Sequence, residues 1–240
     1  GVAPSLAGAS APSSAAPFLR LKNFMSAVLE CAGGRPRGAY AITVAQAGKM
    51  AAGRGRGGIR IIGGEWRGRR LAVADRPGLR PTADRVRETL FNWLQTIVPG
   101  ARCLDLFAGS GALGLEALSR GAAAVTFVDS DRRAMDSLRA VLKTLGAGDR
   151  ADCRCERAER FLTLGEGPFD LIFLDPPFAG DALARASAEL APLCHESTLV
   201  YVETDQREPA ALLPEGWSCH RSGRGGGVQF GLYRPFVAPG

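Results

Sequence analysis

An aspartate and three glycines lie close together near the middle of the chain. The spacing Gly109-x-Gly111-x-x-Gly114 follows an apolar run and opens a segment with helical spacing, which predicts a strand, a tight loop and a helix. The glycines let a ligand approach the backbone, and the first N–H groups of the helix point towards it. Asp105, four residues before Gly109, would repel a pyrophosphate but can bind an ammonium group. The pattern favours S-adenosylmethionine (SAM), which carries an ammonium and no phosphate, over a nicotinamide cofactor or an empty structural loop.

A second acid follows the next apolar run. Asp129 directly follows the segment 124–128 and lies 18 residues after Gly111. A carboxylate at this place can accept hydrogen bonds from both ribose hydroxyls of an adenosyl group. It serves a nicotinamide dinucleotide equally well, so this acid does not separate the two cofactors.

A third motif separates them. Asp175-Pro176-Pro177-Phe178 comes directly after the apolar run 171–174. An exocyclic ring amine is a poor nucleophile because its lone pair is delocalised, and it needs acceptors for its hydrogens. The Asp175 carboxylate and the Pro176 carbonyl can accept them, and Phe178 offers a face on which a base can stack. The motif predicts methyl transfer to such an amine, and a proline-rich structural turn is the alternative.

The net charge of +6 is unevenly placed. Residues 1–58 carry seven Lys or Arg and one acid, whereas basic and acidic residues balance from residue 59 onward. Between Arg54 and Arg87 stand ten Arg and three acids, the charge pattern expected of a surface that binds a phosphate backbone. A merely solvated basic face is the alternative.

The remaining composition excludes several classes. The six cysteines have no Cys-x-x-Cys pair or zinc-like spacing, which indicates reduced thiols, no metal and a cytoplasmic location. Two histidines disfavour a His-dependent hydrolase, and no apolar run is long enough to span a membrane. Residues 1–58 are rich in Ala, Gly, Ser and Pro, which predicts a disordered leader. That leader is either an organellar transit peptide or sequence upstream of a true start at Met50.

The elements that must position these residues alternate along the chain. Strands are predicted at 124–128, 152–155, 169–174 and 198–202, with helices at 131–145, 158–164 and 181–193 between them. This alternation is typical of an α/β, doubly wound, mostly parallel sheet, and a hairpin at 217–221 and 228–234 ends it. Such an added hairpin favours the Rossmann-like SAM-dependent methyltransferases.

A small appendage precedes this domain. Two apolar runs at 59–62 and 66–73 predict a hairpin that exposes Arg67, Arg69 and Arg70. The next segment predicts a helix with Thr82 as candidate N-cap and a polar face that carries Arg85, Arg87 and Glu88. We therefore divide the chain into a leader at 1–58, an RNA-binding appendage at 59–98 and a methyltransferase domain at 99–236.

From residue 59 to about residue 233 the chain resembles the RsmD family, bacterial SAM-dependent methyltransferases of a guanine N2 in small-subunit (16S) ribosomal RNA. The resemblance lies in segments 60–64, 78–82, 84–94, 107–120 and 175–178. The glycine loop and the Asp-Pro-Pro-Phe motif occur in many amine methyltransferases, whereas the segment Arg-Pro-Thr-x-Asp-Arg-Val-Arg-Glu at 80–88 is more specific to the family. Residues 1–58 lie outside the resemblance.

The resemblance implies a set of site residues and a substrate. Catalytic positions fall on Asp175, Pro176, Pro177 and Phe178. Cofactor contacts fall on Thr82, Asp105, Phe107, Gly109, Ser110, Gly111, Asp129, Ser130, Arg157 and Ala158. RNA contacts fall on Arg67, Arg69, Arg70, Arg80, Arg85 and Arg87. Arg157 departs from the Asn or Asp usual in the family, so we expect the backbone to read the adenine there.

The implied substrate is rRNA in a partly assembled small subunit, modified by a monomer. Two alternatives stay open. An N6-adenine methyltransferase acting on DNA or RNA would use the same Asp-Pro-Pro-Phe chemistry. A non-catalytic RNA-binding protein could keep the fold, although the complete set of Asp105, Gly109, Gly111 and Asp175 argues against it.

Overall fold

The computed structural model describes residues 58–72, 84–178, 180–206 and 208–236, and strands and helices alternate through the middle of this part of the chain. All of these residues belong to one compact unit, Arg54–Gly240. The strands are β1 (Gly58–Arg60), β2 (Arg70–Ala72), β3 (Arg102–Asp105), β4 (Ala124–Asp129), β5 (Ala151–Cys155), β6 (Phe169–Leu174), β7 (Cys194–Thr204), β8 (Ser218–Gly225) and β9 (Val228–Arg234). The α-helices are α1 (Asp84–Trp93), α2 (Ala112–Ser119), α3 (Arg132–Leu145), α4 (Ala158–Leu164) and α5 (Ala182–Ala188).

The described residues form a seven-stranded sheet in the order β5-β4-β3-β6-β7-β9-β8 and a separate antiparallel pair, β1-β2. The first five strands in this order run parallel, and β9 and β8 add an antiparallel hairpin at one edge. The chain leaves β3 towards β4 and β5, then returns to place β6 on the other side of β3. This order confirms the predicted doubly wound sheet with its C-terminal hairpin.

Helices cover both faces of the sheet. On one face, apolar side chains from the N-terminal hairpin and from α1, α2 and α3 pack on strand residues such as Phe127 and Phe173. On the other face, Phe161 of α4 and Leu183 of α5 pack on residues such as Leu104 and Ile172. Strands buried on both faces need apolar residues, which is why residues 171–174 of β6 are all apolar, whereas Asp170 near its start is only partly buried.

Local signals fix the ends of α3. Asp131 is its N-cap, and its carboxylate accepts hydrogen bonds from the N–H groups of Arg133 and Ala134. Gly146 ends the helix with a φ of 68°, the left-handed conformation that glycine adopts without strain. The helix predicted at 131–145 is therefore confirmed to within one residue.

The N-terminal hairpin is fastened to the C-terminal part of α2. The Glu116 carboxylate is fully buried and accepts the N–H groups of Ile62 and Gly63, each at 2.8 Å. It also pairs with Arg120 at 2.7 Å, so its charge is compensated. Ser119 Oγ donates to the Gly63 carbonyl and accepts the Trp66 N–H. A hairpin of two three-residue strands gains its stability from this neighbour.

Three predictions about individual elements need revision. The helix expected at 181–193 stops at Ala188 and is followed by a short 3₁₀ turn, Ala191–Leu193, with Pro192 inside it. The strand expected at 198–202 extends over Cys194–Thr204 because it pairs with β6 on one side and β9 on the other. The predicted position of Arg87 on the polar face of α1 is wrong, since its side chain is 2% exposed.

Arg87 is buried because α1 is covered along this side by the hairpin. Its guanidinium donates to the Arg60 carbonyl at 2.8 Å and pairs with Asp84 at 2.7 Å. Burial lowers the pKa of Arg87, while the charges of Asp84 and Glu116 oppose that shift. Arg87 thus joins the hairpin to α1, and an RNA phosphate cannot reach it in this conformation.

The described residues contain neither a membrane-spanning helix nor a cluster of metal-binding side chains. None of their helices combines the length and apolar character that a membrane crossing requires. No group of His, Cys, Asp and Glu side chains among them is arranged to hold a metal ion.

The close contact of α2 with the sheet makes a test of the fold. A Cβ atom on Gly114 would lie 2.7 Å from Phe127 Cζ and 2.9 Å from Val125 Cγ1. We expect Gly114→Ala to lower the free energy of unfolding by about 1 to 3 kcal/mol, because the helix must move off the strand. Urea denaturation would measure the change.

Gly148→Ala is the matched control, since a Cβ atom at Gly148 meets no atom within 4 Å. Its unfolding free energy should change by less than about 1 kcal/mol. Equal stability of the Gly114 variant and the wild type would contradict the packing described for α2.

Candidate functional site

The predicted site residues meet at the carboxyl edge of the sheet, where the strand order reverses. β3 lies between β4 and β6, so the loops that follow β3 and β6 leave the sheet in opposite directions and open a crevice. The glycine loop follows β3, Asp129 ends β4 and Asp175 follows β6. The structure therefore brings the three sequence motifs to one place.

The glycine loop needs its glycines for two different reasons. Gly109 and Gly111 have φ values of 51° and 77°, which other residues adopt only with strain. A Cβ atom on Gly111 would also lie 2.6 Å from Leu138 Cδ1 of α3. The Gly111 N–H bonds to the Ala108 carbonyl at 2.6 Å and tightens the turn before α2. The loop is thus a close-fitting connection between β3 and α2.

Asp105 lies beneath this loop. Its Oδ2 accepts the Gly114 N–H in the first turn of α2 at 3.0 Å. The carboxylate thus takes the position at the helix N-terminus that a phosphate would occupy in a dinucleotide site. A pyrophosphate would meet a negative charge here, whereas the ammonium of SAM would meet a complementary one. The donor set of the loop therefore fits SAM better than a nicotinamide cofactor.

Burial controls the ionisation of Asp105. Its pKa is raised from 3.8 to about 7, first by burial and further by the charge of Asp129, while the bond from Gly114 opposes the shift. A cation bound beside Asp105 would favour its charged form. Direct contact of this carboxylate with the SAM ammonium stays a prediction.

Asp129 fastens the other end of the loop. Its Oδ2 accepts the Gly109 N–H at 2.8 Å, and its Oδ1 accepts the Asp131 N–H at 2.7 Å. Each carboxylate oxygen has two acceptor sites, so these bonds are compatible with the predicted ribose contacts. The sequence does not reveal this second role, because no local pattern shows which backbone groups a side chain reaches 20 residues away.

The remaining predicted cofactor positions surround the loop. Phe107 and Ala158 line one crevice between α4 and α5. Ser110 is partly exposed and Ser130 is exposed. Arg157 is exposed, pairs with Glu159 and is the N-cap of α4. Thr82 lies outside the described residues.

The Asp-Pro-Pro-Phe motif projects from the end of β6. Asp175 is half-buried and Pro176 is buried, whereas Pro177 and Phe178 are exposed. An exposed Phe178 ring at the rim of the crevice suits the stacking role predicted for it. The positions of these residues agree with the roles expected of them, and the roles themselves stay predictions.

One acid in this region was missed. Glu203 stands near the end of β7 and is 5% exposed, with its carboxylate bonded to the Tyr201 hydroxyl. The signal that revealed Asp129 and Asp175, an acid at the end of an apolar strand, is also present in the sequence Leu199-Val200-Tyr201-Val202-Glu203. Glu203 follows the predicted strand 198–202 just as Asp129 follows the segment 124–128, so the same signal could have revealed it.

The predicted RNA contacts divide into three groups. Arg67, Arg69, Arg70 and Arg85 are exposed on the hairpin and on α1. Arg87 is buried, and Arg80 lies outside the described residues. The exposed arginines leave a basic surface next to the methyltransferase domain.

The chain is similar to several known proteins. A family profile described as "Conserved hypothetical protein 95" matches residues 59–234. Two similar curated proteins are each called ribosomal RNA small subunit methyltransferase D. The one from Escherichia coli (strain K12) is 47% identical over 182 residues, which are 75% of this chain and 91% of that protein. The one from Haemophilus influenzae is 41% identical over 187 residues, which are 75% and 95% of the two chains.

The chain is also similar to proteins whose structures have been solved. The yhhF protein of Escherichia coli superposes with a TM-score of 0.68 at 47% identity, covering 75% of this chain and 99% of that one. The protein TTHA0928 of a Thermus thermophilus strain gives 0.60 at 31% identity, covering 72% and 98%. Fold, site and relatives together define a SAM-dependent methyltransferase with a Rossmann-like sheet. Within that class the chain belongs to the RsmD family, as the sequence resemblance implied.

The buried Asp105 predicts how stability depends on pH. Its pKa of about 7 in the folded protein exceeds its ordinary value of 3.8, so the folded state binds more protons between these two pH values. Its contribution to stability is therefore complete below about pH 4 and is lost as the pH rises through 7. The Asp105→Asn side chain can still accept the Gly114 N–H but does not titrate. We therefore expect the variant's free energy of unfolding to fall less steeply with pH than that of the wild type, by up to about 1.4 kcal/mol per pH unit.

Urea denaturation of both proteins between about pH 4 and pH 8 would measure this difference. The control is Asp149→Asn, because Asp149 is exposed and far from the loop in sequence. If the free energy of unfolding depended on pH in the same way in the wild type and the Asp105 variant, the raised pKa of Asp105 would be refuted.

Proposed function

We propose that this protein transfers a methyl group from SAM to the exocyclic N2 amine of a guanine in small-subunit rRNA. It acts in the cytoplasm as a monomer on a partly assembled small subunit. The placement of Asp175 and Pro176 at the carboxyl edge of the sheet, beside the glycine loop, is the observation that carries the proposal. The names of the two curated relatives support rRNA of the small subunit as substrate.

The residues of this chain contribute mainly orientation and acceptor groups. SAM, when bound, supplies an activated methyl group on a sulfonium. The glycine loop, held by Asp105 and Asp129, fixes the direction from which that group is presented. Alignment of two reacting groups in one site lowers the barrier by reducing the entropy that must be lost.

Asp175 and Pro176 act on the amine. As the nitrogen attacks, its lone pair leaves conjugation with the ring and its hydrogens become more acidic. The Asp175 carboxylate and the Pro176 carbonyl accept these hydrogens, and an acceptor fixed in place needs no reorganisation at that moment. The exposed Phe178 stacks on the base and keeps the amine in the plane of these acceptors.

The hairpin supplies binding that is independent of the reaction. Arg67, Arg69 and Arg70 are exposed near the turn that docks on the end of α2. Arginines on an exposed hairpin bind phosphates and orient the RNA without reading its sequence. The RNA backbone therefore binds to the hairpin while one base enters the crevice.

The decisive experiment maps methylated nucleotides by mass spectrometry. Small-subunit particles that lack methylation would be incubated with SAM and either the wild type or Asp175→Ala. We expect one methylated guanine in the particles treated with the wild type. Methylation of an adenine would favour the N6-adenine alternative, and no methylation at any assembly state would favour a non-catalytic RNA-binding protein.

Asp175 should contribute to the rate much more than to binding. Asp175→Ala should lower the single-turnover rate by about a hundredfold or more, the scale of removing one fixed electrostatic group. Asp175→Asn keeps one acceptor without the charge and should be impaired as well. Affinities for SAM and for RNA should stay within about a few-fold, because most contacts of both ligands lie elsewhere.

Radiolabelled SAM and small-subunit particles would measure these rates. Asp149→Ala, at an exposed acid before β5, is the matched control and should react at the wild-type rate. A wild-type rate in Asp175→Ala would refute the acceptor role.

The basic hairpin makes a separate prediction. Replacing Arg67, Arg69 and Arg70 together by Ala should weaken RNA binding and flatten its salt dependence, by up to about one unit of log-log slope for each arginine that binds a phosphate. SAM affinity should not change. Binding would be measured by filter retention between about 50 and 300 mM salt, the range in which such slopes are steep.

The control replaces three exposed arginines that are paired with acids and so offer less net charge, namely Arg139, Arg160 and Arg185. An unchanged slope in the hairpin variant would show that the hairpin is only a solvated surface.

A further inference from the structure

The strand next to Asp175 also ends in an acid. β6 and β7 are parallel, and their register pairs Phe173 with Tyr201 and Leu174 with Val202. The next step along both strands brings Asp175 beside Glu203. Side chains alternate between the two faces of a strand, so Phe173 and Asp175 share one face with Tyr201 and Glu203. The edge contact of the Phe173 and Tyr201 rings, with centroids 6.3 Å apart, shows that this face is common to both strands.

Glu203 is held firmly in this position. Its side chain is 5% exposed, and its Oε2 accepts a hydrogen bond of 2.7 Å from the Tyr201 hydroxyl. Burial raises the pKa of Tyr201 well above its usual value, and the charges of Glu203 and Asp175 raise it further. Both carboxylates are therefore close to one hydroxyl group. A carboxylate has about four acceptor sites, so Glu203 can bond the Tyr201 hydroxyl and a donor on a ligand at the same time.

Two neighbouring carboxylates limit which base can bind beside them. They present acceptors only, so they suit a base edge that presents adjacent donors. Guanine has such an edge, with the N1–H beside the N2 amine. Adenine does not, because its N1 is an acceptor whose lone pair would face a carboxylate. A buried site of this kind rejects a base that lacks the matching hydrogen more strongly than an exposed one would, since its polar groups are left unpaired.

We propose that Glu203 is a specificity-determining residue that accepts the N1–H of the target guanine while Asp175 accepts a hydrogen of the N2 amine. Tyr201 holds the Glu203 carboxylate in the plane of the base through its hydroxyl. This assignment rests on the proposed function and names the feature of the base that the site reads. The two carboxylates then have different roles. Asp175 acts on the reacting amine, and Glu203 selects guanine as the base that carries it.

The test uses a base that keeps the reacting amine but lacks the N1–H. This base also lacks the O6 carbonyl of guanine, a loss that is the same for every variant, so the comparison between variants isolates the effect of each side chain. 2-Aminopurine is that base, because its N1 is an acceptor. Small-subunit particles would be reconstituted with guanine or 2-aminopurine at the position that mass mapping identifies. Single-turnover rates with radiolabelled SAM would be measured for the wild type, Glu203→Gln and Tyr201→Phe. Glu196→Gln changes an exposed acid near the other end of β7 and is the matched control.

The wild type should methylate 2-aminopurine about tenfold to a hundredfold more slowly than guanine, the scale of removing one hydrogen bond to a base. Glu203→Gln should lower the guanine rate by a similar factor and leave the 2-aminopurine rate unchanged or higher, because an amide N–H can donate to the unprotonated N1. The ratio of the two rates should then fall to within about threefold. Tyr201→Phe should reduce this ratio less, and Glu196→Gln should not alter it.

Glutamine has nearly the same shape as glutamate and can still accept the Tyr201 hydroxyl, so the variant should keep the wild-type melting temperature. A wild type that methylates guanine, combined with a Glu203→Gln variant that slows both bases equally or neither, would overturn the role of Glu203 alone. A wild type that methylates no guanine in small-subunit rRNA would overturn the proposed function as well.

Discussion

Two carboxylates hold the glycine loop, and the geometry of the candidate site depends on these two bonds. Asp105 binds the N–H of Gly114 at the start of α2, and Asp129 binds the N–H of Gly109 before it. The loop is thereby fastened to the ends of β3 and β4, two adjacent strands of the sheet. These two bonds restrict the backbone conformations that the loop can adopt. The desolvation of Asp105 is the energetic cost of this arrangement, and its raised pKa expresses that cost.

Helix α2 connects the loop to the N-terminal hairpin. Its N-terminal turn is bonded to Asp105, and its C-terminal turn carries Glu116 and Ser119, which bond the backbone of the hairpin. The helix has eight residues and is about 12 Å long, so the hairpin turn docks well away from the glycine loop. Contacts of Arg67 with RNA would therefore lie apart from the reacting base. In the proposed function, RNA binding and the placement of the base would therefore depend on different residues.

The carboxyl edge of the sheet gathers acids from four adjacent strands. Asp129, Asp105, Asp175 and Glu203 follow or end β4, β3, β6 and β7, in that order across the sheet. The register places Asp105 opposite Phe127 and Phe173, two residues before Asp129 and Asp175, so Asp105 lies one layer deeper than those two acids. Depth explains why Asp105 supports the loop from below while Asp175 is partly exposed towards the crevice.

The sequence by itself determined the features that depend on neighbours along the chain. The apolar strand 169–174, the capped helix after Asp131 and the strand-loop-helix pattern around Gly109 could all be predicted, because periodicity and turn chemistry act over a few residues. The acids after the strands at 124–129 and 169–174 could be located for the same reason. Family motifs then extended this local information to the class of reaction.

Only the tertiary structure decided which of these residues meet across the fold. Arg87 has a sequence environment much like that of the exposed Arg85, yet it is buried because the hairpin covers its side of α1. Glu203 stands beside Asp175 only because β7 pairs with β6, a neighbourhood set by strand order across 28 residues of chain. Local patterns carry no information about such pairings, since they arise from the burial of whole elements against one another.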